Sequence, residues 1–184
     1  MQLRNTLAIP VFGVAAWSGT GKTTLLKSLL PALRERGLRV GIIKHAHHDF
    51  EIDYPGKDSF ELRKAGARQV VIASNNREAL VRDYPSAREP DLSVLIARFD
   101  PTEFDLVLVE GFKDESIPKI ELFRPSLGKP PCYVQDDAII ALATDEPITT
   151  ARALPLLNLN DVEAIAAFIA RRIQTPSISP NASA

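Results

Sequence analysis

Apolar and polar positions along this chain follow two periods, and the change from one to the other marks out its elements. Ile9 to Ala15 is an apolar run of strand length, which predicts a buried strand. Beyond a short polar stretch, Leu25, Leu29 and Leu33 recur on one face with Leu26 and Leu30, the spacing of an amphipathic helix. Pro31 is expected to bend that helix or to be met by a local break. Gly37 closes it after the basic Arg34 and Arg36, as a helix end favours. Leu38 to Lys44 returns to strand character, so the first third of the chain reads as a βαβ unit with parallel strands.

The alternation continues. Asp58 to Ala65 predicts a short helix stopped by Gly66, and Gln69 to Ser74 an apolar strand. Glu78 to Val81 adds a further strand and Asp91 to Phe99 another helix. Asp105 to Glu110 is the most apolar strand, with Lys119 to Phe123 and Ala138 to Ala143 after it. Asn160 is placed to cap a last helix through Ile173, with Val162, Ile165, Ala166 and Ile169 inward. The fold class is therefore α/β, a three-layer sandwich around a mostly parallel sheet, with an antiparallel edge as an extension. Ser74 to Asp83 lies outside the simple alternation. An edge strand there invites pairing with a second copy of the chain.

The polar stretch after the first strand carries the chemistry. Ala16-Trp17-Ser18-Gly19-Thr20-Gly21-Lys22-Thr23 joins a buried strand to a helix, the context a phosphate-binding P-loop, or Walker A motif, requires. Backbone N–H groups from Ser18 to Thr24 would wrap a β-phosphate, aided by the positive end of the helix. Lys22 would reach the β- and γ-phosphates, and the Thr23 hydroxyl would ligate Mg²⁺. The motif usually opens on Gly, and Ala16 stands there instead.

Two further constellations fall at strand ends. Leu106-Val107-Leu108-Val109-Glu110-Gly111 resembles a Walker B strand. Its acid would face Mg²⁺ beside Thr23 through water, and Gly111 would let the backbone pass near the γ-phosphate. Ile43-Lys44-His45-Ala46-His47-His48-Asp49 follows the second strand and holds every histidine of the chain. Asp49 is a candidate for organising Mg²⁺ or an attacking water, so Asp49 and Glu110 are the catalytic candidates. A transition-metal site at the histidines competes with nucleotide or partner contact and with a solvated loop. Lys57, Arg63 and Arg68 would meet an anionic ligand or line a solvated helix. For the base, Asp145 ends the strand before Pro147 and suits bidentate pairing with N1–H and N2–H of guanine; a turn-forming Asp reads equally well, and Asn158 and Asn160 are the next candidates.

Composition narrows the setting. At 184 residues, 45% hydrophobic and 24% charged, the chain has the make-up of a soluble globular protein with one sizeable core. Residues 1–174 read as one nucleotide-binding domain, and the Pro/Ser-rich 175–184 as a disordered tail. A net charge of −1 gives no general case for nucleic acid or an anionic membrane. No apolar run has the length of a membrane span. Arg4 and the apolar residues from Thr6 imitate a short signal peptide, but cleavage near Ala16 would destroy the phosphate loop, so this is read as the first strand. The lone Cys132 excludes an internal disulfide and suits a reducing cytoplasm.

With these residues placed, the chain resembles the MobB family of molybdopterin-guanine dinucleotide biosynthesis adapter proteins. The resemblance rests on Ala15 to Leu25, Ile-Lys-His-x-His-His-Asp at 43–49, Pro-Gly-Lys-Asp-Ser-x-Glu-Leu-Arg-Lys-Ala-Gly-Ala at 55–67 and Leu-Val-Glu-Gly-Phe-Lys at 108–113. It implies a GTP-binding protein with at most slow hydrolysis, forming a homodimer with an extended sheet. It also implies a role beside the guanylyltransferase that attaches GMP to molybdopterin, with molybdoenzymes as further partners. The carried-over residues are Gly19 to Thr24, the region of His48 and Asp49, and Glu110-Gly111. A small-molecule kinase and a metallochaperone GTPase are the alternatives. The first needs an acceptor pocket and a base. The second usually carries extra Cys/His tracts, which this chain lacks.

Overall fold

The computed structural model describes residues 9–46 and 49–174. His47, His48, the segment with Arg4 and the tail from residue 175 lie outside the described residues. The chain divides into two compact units, one made of residues up to His45 and from Leu92 onward, the other of Ala46–Asp91.

The first unit is built on six strands: β1 (Val11–Ala16), β2 (Val40–Lys44), β5 (Leu106–Glu110), β6 (Lys119–Phe123), β7 (Ile139–Thr144) and β8 (Leu156–Asn158). They stand in the order β2-β5-β1-β6-β7-β8, every pairing parallel. Parallel sheets are buried on both faces, and β1 shows how its run of apolar residues serves both. Phe12, Val14 and Ala16 face a cluster with Leu25, Leu29 and Leu33 of helix α1 (Lys22–Glu35) and Ile165, Ala166 and Ile169 of helix α4 (Val162–Gln174). Val11, on the opposite face, packs with Leu92 and Ile96 of helix α3 (Leu92–Ile96) and with Val107 and Val109. The three layers are therefore helices, sheet, and α3 with the loops beside it.

Three local expectations need adjusting. Helix α1 runs through Pro31 without a break. The cap of α4 is Asp161, whose Oδ1 accepts the Ala164 N–H at 2.9 Å. Asn160 instead donates its own N–H to Asn158 Oδ1, because the carboxylate one position later is the one that reaches the first turn. The predicted helix over Asp91 to Phe99 is helical only over Leu92–Ile96.

In the second unit, helix α2 (Asp58–Lys64) is followed by β3 (Gln69–Ser74) and β4 (Arg77–Arg82). These two pair antiparallel as a sheet of their own rather than as an edge of the parallel sheet. Arg63 is the pivot of the unit. Its side chain is 3% exposed and is ion-paired to Glu51, Asp53 and Asp83. It is thus a buried ion-pair centre, whereas Lys57 and Arg68 remain exposed.

Candidate nucleotide site

β1 ends at Ala16, and the chain then turns through Gly19 and Gly21, whose φ angles are +84° and +97°. Those left-handed values are strained for any residue with a Cβ, so two of the loop's positions demand glycine. Gly21 is the N-cap of α1, with no side-chain cap and no acid in the first turn. The positive end of the helix is therefore left for an external anion. Thr20 is 2% exposed and turns inward, its hydroxyl donating to the Trp17 carbonyl at 2.7 Å. It holds the loop's shape. Thr23 and Thr24, in the first turn, are exposed, as a hydroxyl facing a metal–phosphate pair requires. Ala16, where Gly is usual, is accommodated within the strand and is 5% exposed.

Parallel pairing brings the Walker B acid to this loop. Lys22 Nζ lies 3.6 Å from Glu110 Oε1, and Lys44 Nζ lies 2.9 Å from Glu110 Oε2. Lys44 was invisible as a partner in the sequence, yet β2 and β5 set Lys44 opposite Glu110 in register. After Glu110 the chain swings through Gly111 at φ +91° and Phe112 at φ +52°. Phe112 is the one described non-glycine residue in the left-handed region, and its ring stacks on His45 with centroids 4.7 Å apart. A Cβ on Gly111 would meet the His45 Cβ at 2.5 Å. The chain crossing there has no room for one. Asp49 is an exposed residue of the second unit.

At the end of β7, Asp145 is not a free carboxylate. One oxygen is paired with Arg124, and Arg124 Nε also donates to the Thr20 carbonyl of the loop at 2.8 Å. The other oxygen, Oδ1, is buried without a hydrogen-bond partner. Bidentate pairing of Asp145 with a base therefore meets two constraints: Oδ2 is shared with Arg124, and Oδ1 is buried without a partner. Sequence reasoning missed Arg124 because nothing local marks it; β6 lies between β1 and β7 and so delivers it between loop and carboxylate. The Asn158 side chain is engaged locally, its Oδ1 accepting the Asn160 N–H at 2.9 Å.

The donor set fits a nucleoside triphosphate with Mg²⁺: left-handed glycines, a bare helix N-terminus, one lysine in the loop and an acid at a strand's carboxyl end. A buried unpaired acceptor at Asp145 adds a demand for a donor. Among the described residues, no group of three or more His, Cys, Asp or Glu is placed to hold a metal ion by itself.

Comparison with known proteins agrees with this fold. Residues 11–145 match the family model for molybdopterin guanine dinucleotide synthesis protein B, MobB. A molybdopterin-guanine dinucleotide biosynthesis adapter protein of Escherichia coli (strain K12) is 53% identical over 167 residues, 90% of this chain and 94% of the relative. One from Haemophilus influenzae is 44% identical over 88% of each. Among solved structures, a molybdopterin-guanine biosynthesis protein B superposes with a TM-score of 0.69 at 30% identity, covering 90% of this chain and 99% of the other. The nickel complex of HypB from Helicobacter pylori, at 13% identity and a TM-score of 0.52, shares the fold alone.

Proposed function

The chain belongs to the MobB family, the adapters of molybdopterin guanine dinucleotide biosynthesis, and from that premise we propose that it is a GTP-binding adapter of this pathway with at most weak hydrolysis. The observation that carries the reading is the loop itself: two left-handed glycines leading into an uncapped helix, with Lys22 beside Glu110. In this reading the backbone from Ser18 to Thr24 cradles the phosphates and Lys22 neutralises the β- and γ-oxygens. Thr23 would hold Mg²⁺ directly and Glu110 would hold it through water. Bound Mg²⁺ would offset the charge of the phosphate oxygens. Gly111 lets the chain pass close to the γ-phosphate, and Asp145 Oδ1 takes a donor of the guanine edge.

Slow turnover follows from what surrounds the phosphates. Lys44 and Lys22 flank Glu110 as counter-ions, and neither is a water-positioning group of the glutamine type. Turnover is expected far below the ~1–100 s⁻¹ of kinases. The partners proposed are the guanylyltransferase of the pathway and the molybdoenzymes it serves, met in the cytoplasm. The second unit offers the surface for a homodimer. Val71 and Leu80 face one another across the hairpin and are 54% and 44% exposed, an apolar pair on a two-stranded sheet that is marginal alone.

Isothermal titration with GTP, in the presence and absence of Mg²⁺, tests the nucleotide assignment; no heat of binding in either condition would remove it. Light scattering tests the dimer, and affinity capture of a guanylyltransferase with and without GTP tests the adapter role.

A further inference from the structure

A cavity borders the phosphate loop at Trp17. It encloses about 380 Å³ between the end of β1 and the segment following β6, within the ~300–1,000 Å³ of small-molecule sites. Its position has a topological cause. From β1 the chain leads away toward β2, and from neighbouring β6 it leads the other way to β7. Such a switch point opens a crevice at the carboxyl ends of a parallel sheet. Trp17, Lys113, Asp114, Cys132, Gln135 and Asp136 are among its walls.

The walls are held from within. Trp17, the single tryptophan of the chain, is fixed by its Nε1–H donating to the Pro130 carbonyl at 2.7 Å. Glu121, fully buried, accepts the N–H groups of Cys132 and Tyr133 at 2.6 and 2.9 Å. Lys119, with its side chain 3% exposed, donates to the Lys113 carbonyl and to Asp136 Oδ2, each at 2.8 Å, and so ties the two sides together. Gly13 leaves room for that lysine, since a Cβ there would stand 2.7 Å from Lys119 Cγ. Burying a lysine and a glutamate is costly for a fold. Here both brace the same cleft.

The chemistry of the walls selects a ligand class. The ammonium groups of Lys113 and Lys129 lie over the Trp17 indole, 5.2 Å and 6.0 Å from the ring centre; a flat ring stacking there would displace them to its edge, where an anion joined to that ring would meet two cations. Asp114 and Gln135 supply acceptors for N–H groups on the ring's edge. We propose that this cleft binds a pterin carrying a phosphate, stacked on Trp17 with its phosphate at Lys113. The choice of pterin over other flat heterocycles rests on the pathway reading above. The cleft shares Trp17 with the phosphate loop, so the two ligands of that pathway would sit on opposite sides of one turn.

Neopterin monophosphate is the probe, titrated into the full chain by calorimetry and followed by quenching of the only tryptophan. Saturable binding is expected, with Trp17→Phe retaining it and Trp17→Ala losing about tenfold, the order of one stacking contact. Lys113→Ala is expected to weaken the phosphate ester while leaving neopterin itself unchanged. Guanosine monophosphate, titrated with saturating GTP present so that the phosphate loop is occupied, is the stringent control, because guanine presents the same N–H edge. No binding of the pterin phosphate, or equal binding of guanosine monophosphate, overturns the proposal. GTP titrated separately keeps the two readings apart: GTP binding without pterin binding sinks only the cleft, and pterin binding without GTP binding sinks only the nucleotide assignment.

Discussion

Arg124 ties Asp145 to the phosphate loop. Its guanidinium pairs with one carboxylate oxygen while its Nε holds the Thr20 carbonyl at 2.8 Å. Base end and phosphate end of the candidate site are thus joined by one side chain. Replacing Asp145 with Asn is then expected to act twice. On the proposed reading it turns the acceptor for guanine into a donor, and it loosens the arginine. An unsatisfied buried polar group costs about 1–3 kcal/mol, so GTP affinity should fall at least about tenfold, with XTP gaining relative to GTP. Arg124→Met should weaken GTP and ITP alike, since it disturbs the loop and not the base. Calorimetry on the two variants with three nucleotides separates these effects. Equal GTP binding by wild type and D145N would take Asp145 out of the site.

Lys22 is the loop's only side-chain cation. Lys22→Ala removes a charge-assisted contact of about 1.5–3 kcal/mol, so triphosphate affinity should drop by about ten- to a hundredfold. The melting temperature should stay close to that of the wild type, because Lys22 is a half-buried partner of Glu110 and Lys44 remains to pair with that carboxylate. Unchanged GTP affinity in K22A would dismiss the phosphate-loop assignment.

Gly111 cannot take a side chain. At φ +91°, with the His45 Cβ 2.5 Å from where its own would stand, Gly111→Ala should destabilise by about 1–3 kcal/mol from backbone strain alone, and the clash adds to it. Chemical denaturation should show a lower midpoint at unchanged slope. A variant as stable as wild type would mean that the turn relaxes freely.

Cys132 should be a sluggish nucleophile. Burial, and next to it the charge of Glu121, pushes its thiol up to about 11. The thiolate is the reactive form, so at pH 8 native Cys132 should alkylate far more slowly than the same residue in unfolded chain. Its rate should climb with pH toward about 11. Glu121→Gln should shift the profile down, while desolvation keeps it above that of a free thiol. A native rate at pH 8 equal to the unfolded rate would contradict this.

Much of the sheet was legible because parallel strands must be apolar on both faces, which makes β1, β5 and β7 stand out as unbroken runs. The loop was legible because its glycines are dictated by backbone angle, a strictly local demand. What escaped the sequence is what depends on register and crossing. Lys44 meets Glu110 only through strand pairing, and Arg124 meets Asp145 and Thr20 only because β6 separates β1 from β7. Arg63 read as a cation for an anionic ligand or as part of a solvated helix, and it is instead buried and ion-paired to three carboxylates from outside that helix. The final cap moved by one residue, the usual slack where Asn and Asp adjoin.

Glu110 keeps two cations, and only one of them belongs to the loop. On the proposed reading an anion at the loop would draw Lys22 away, while Lys44 would still pair with Glu110. In engineering terms Lys44 would be an idler, taking up the slack each time Lys22 changes hands. Removing it, with the loop intact, would leave Lys22 as the sole claimant on Glu110 and make the same lysine slower to let go.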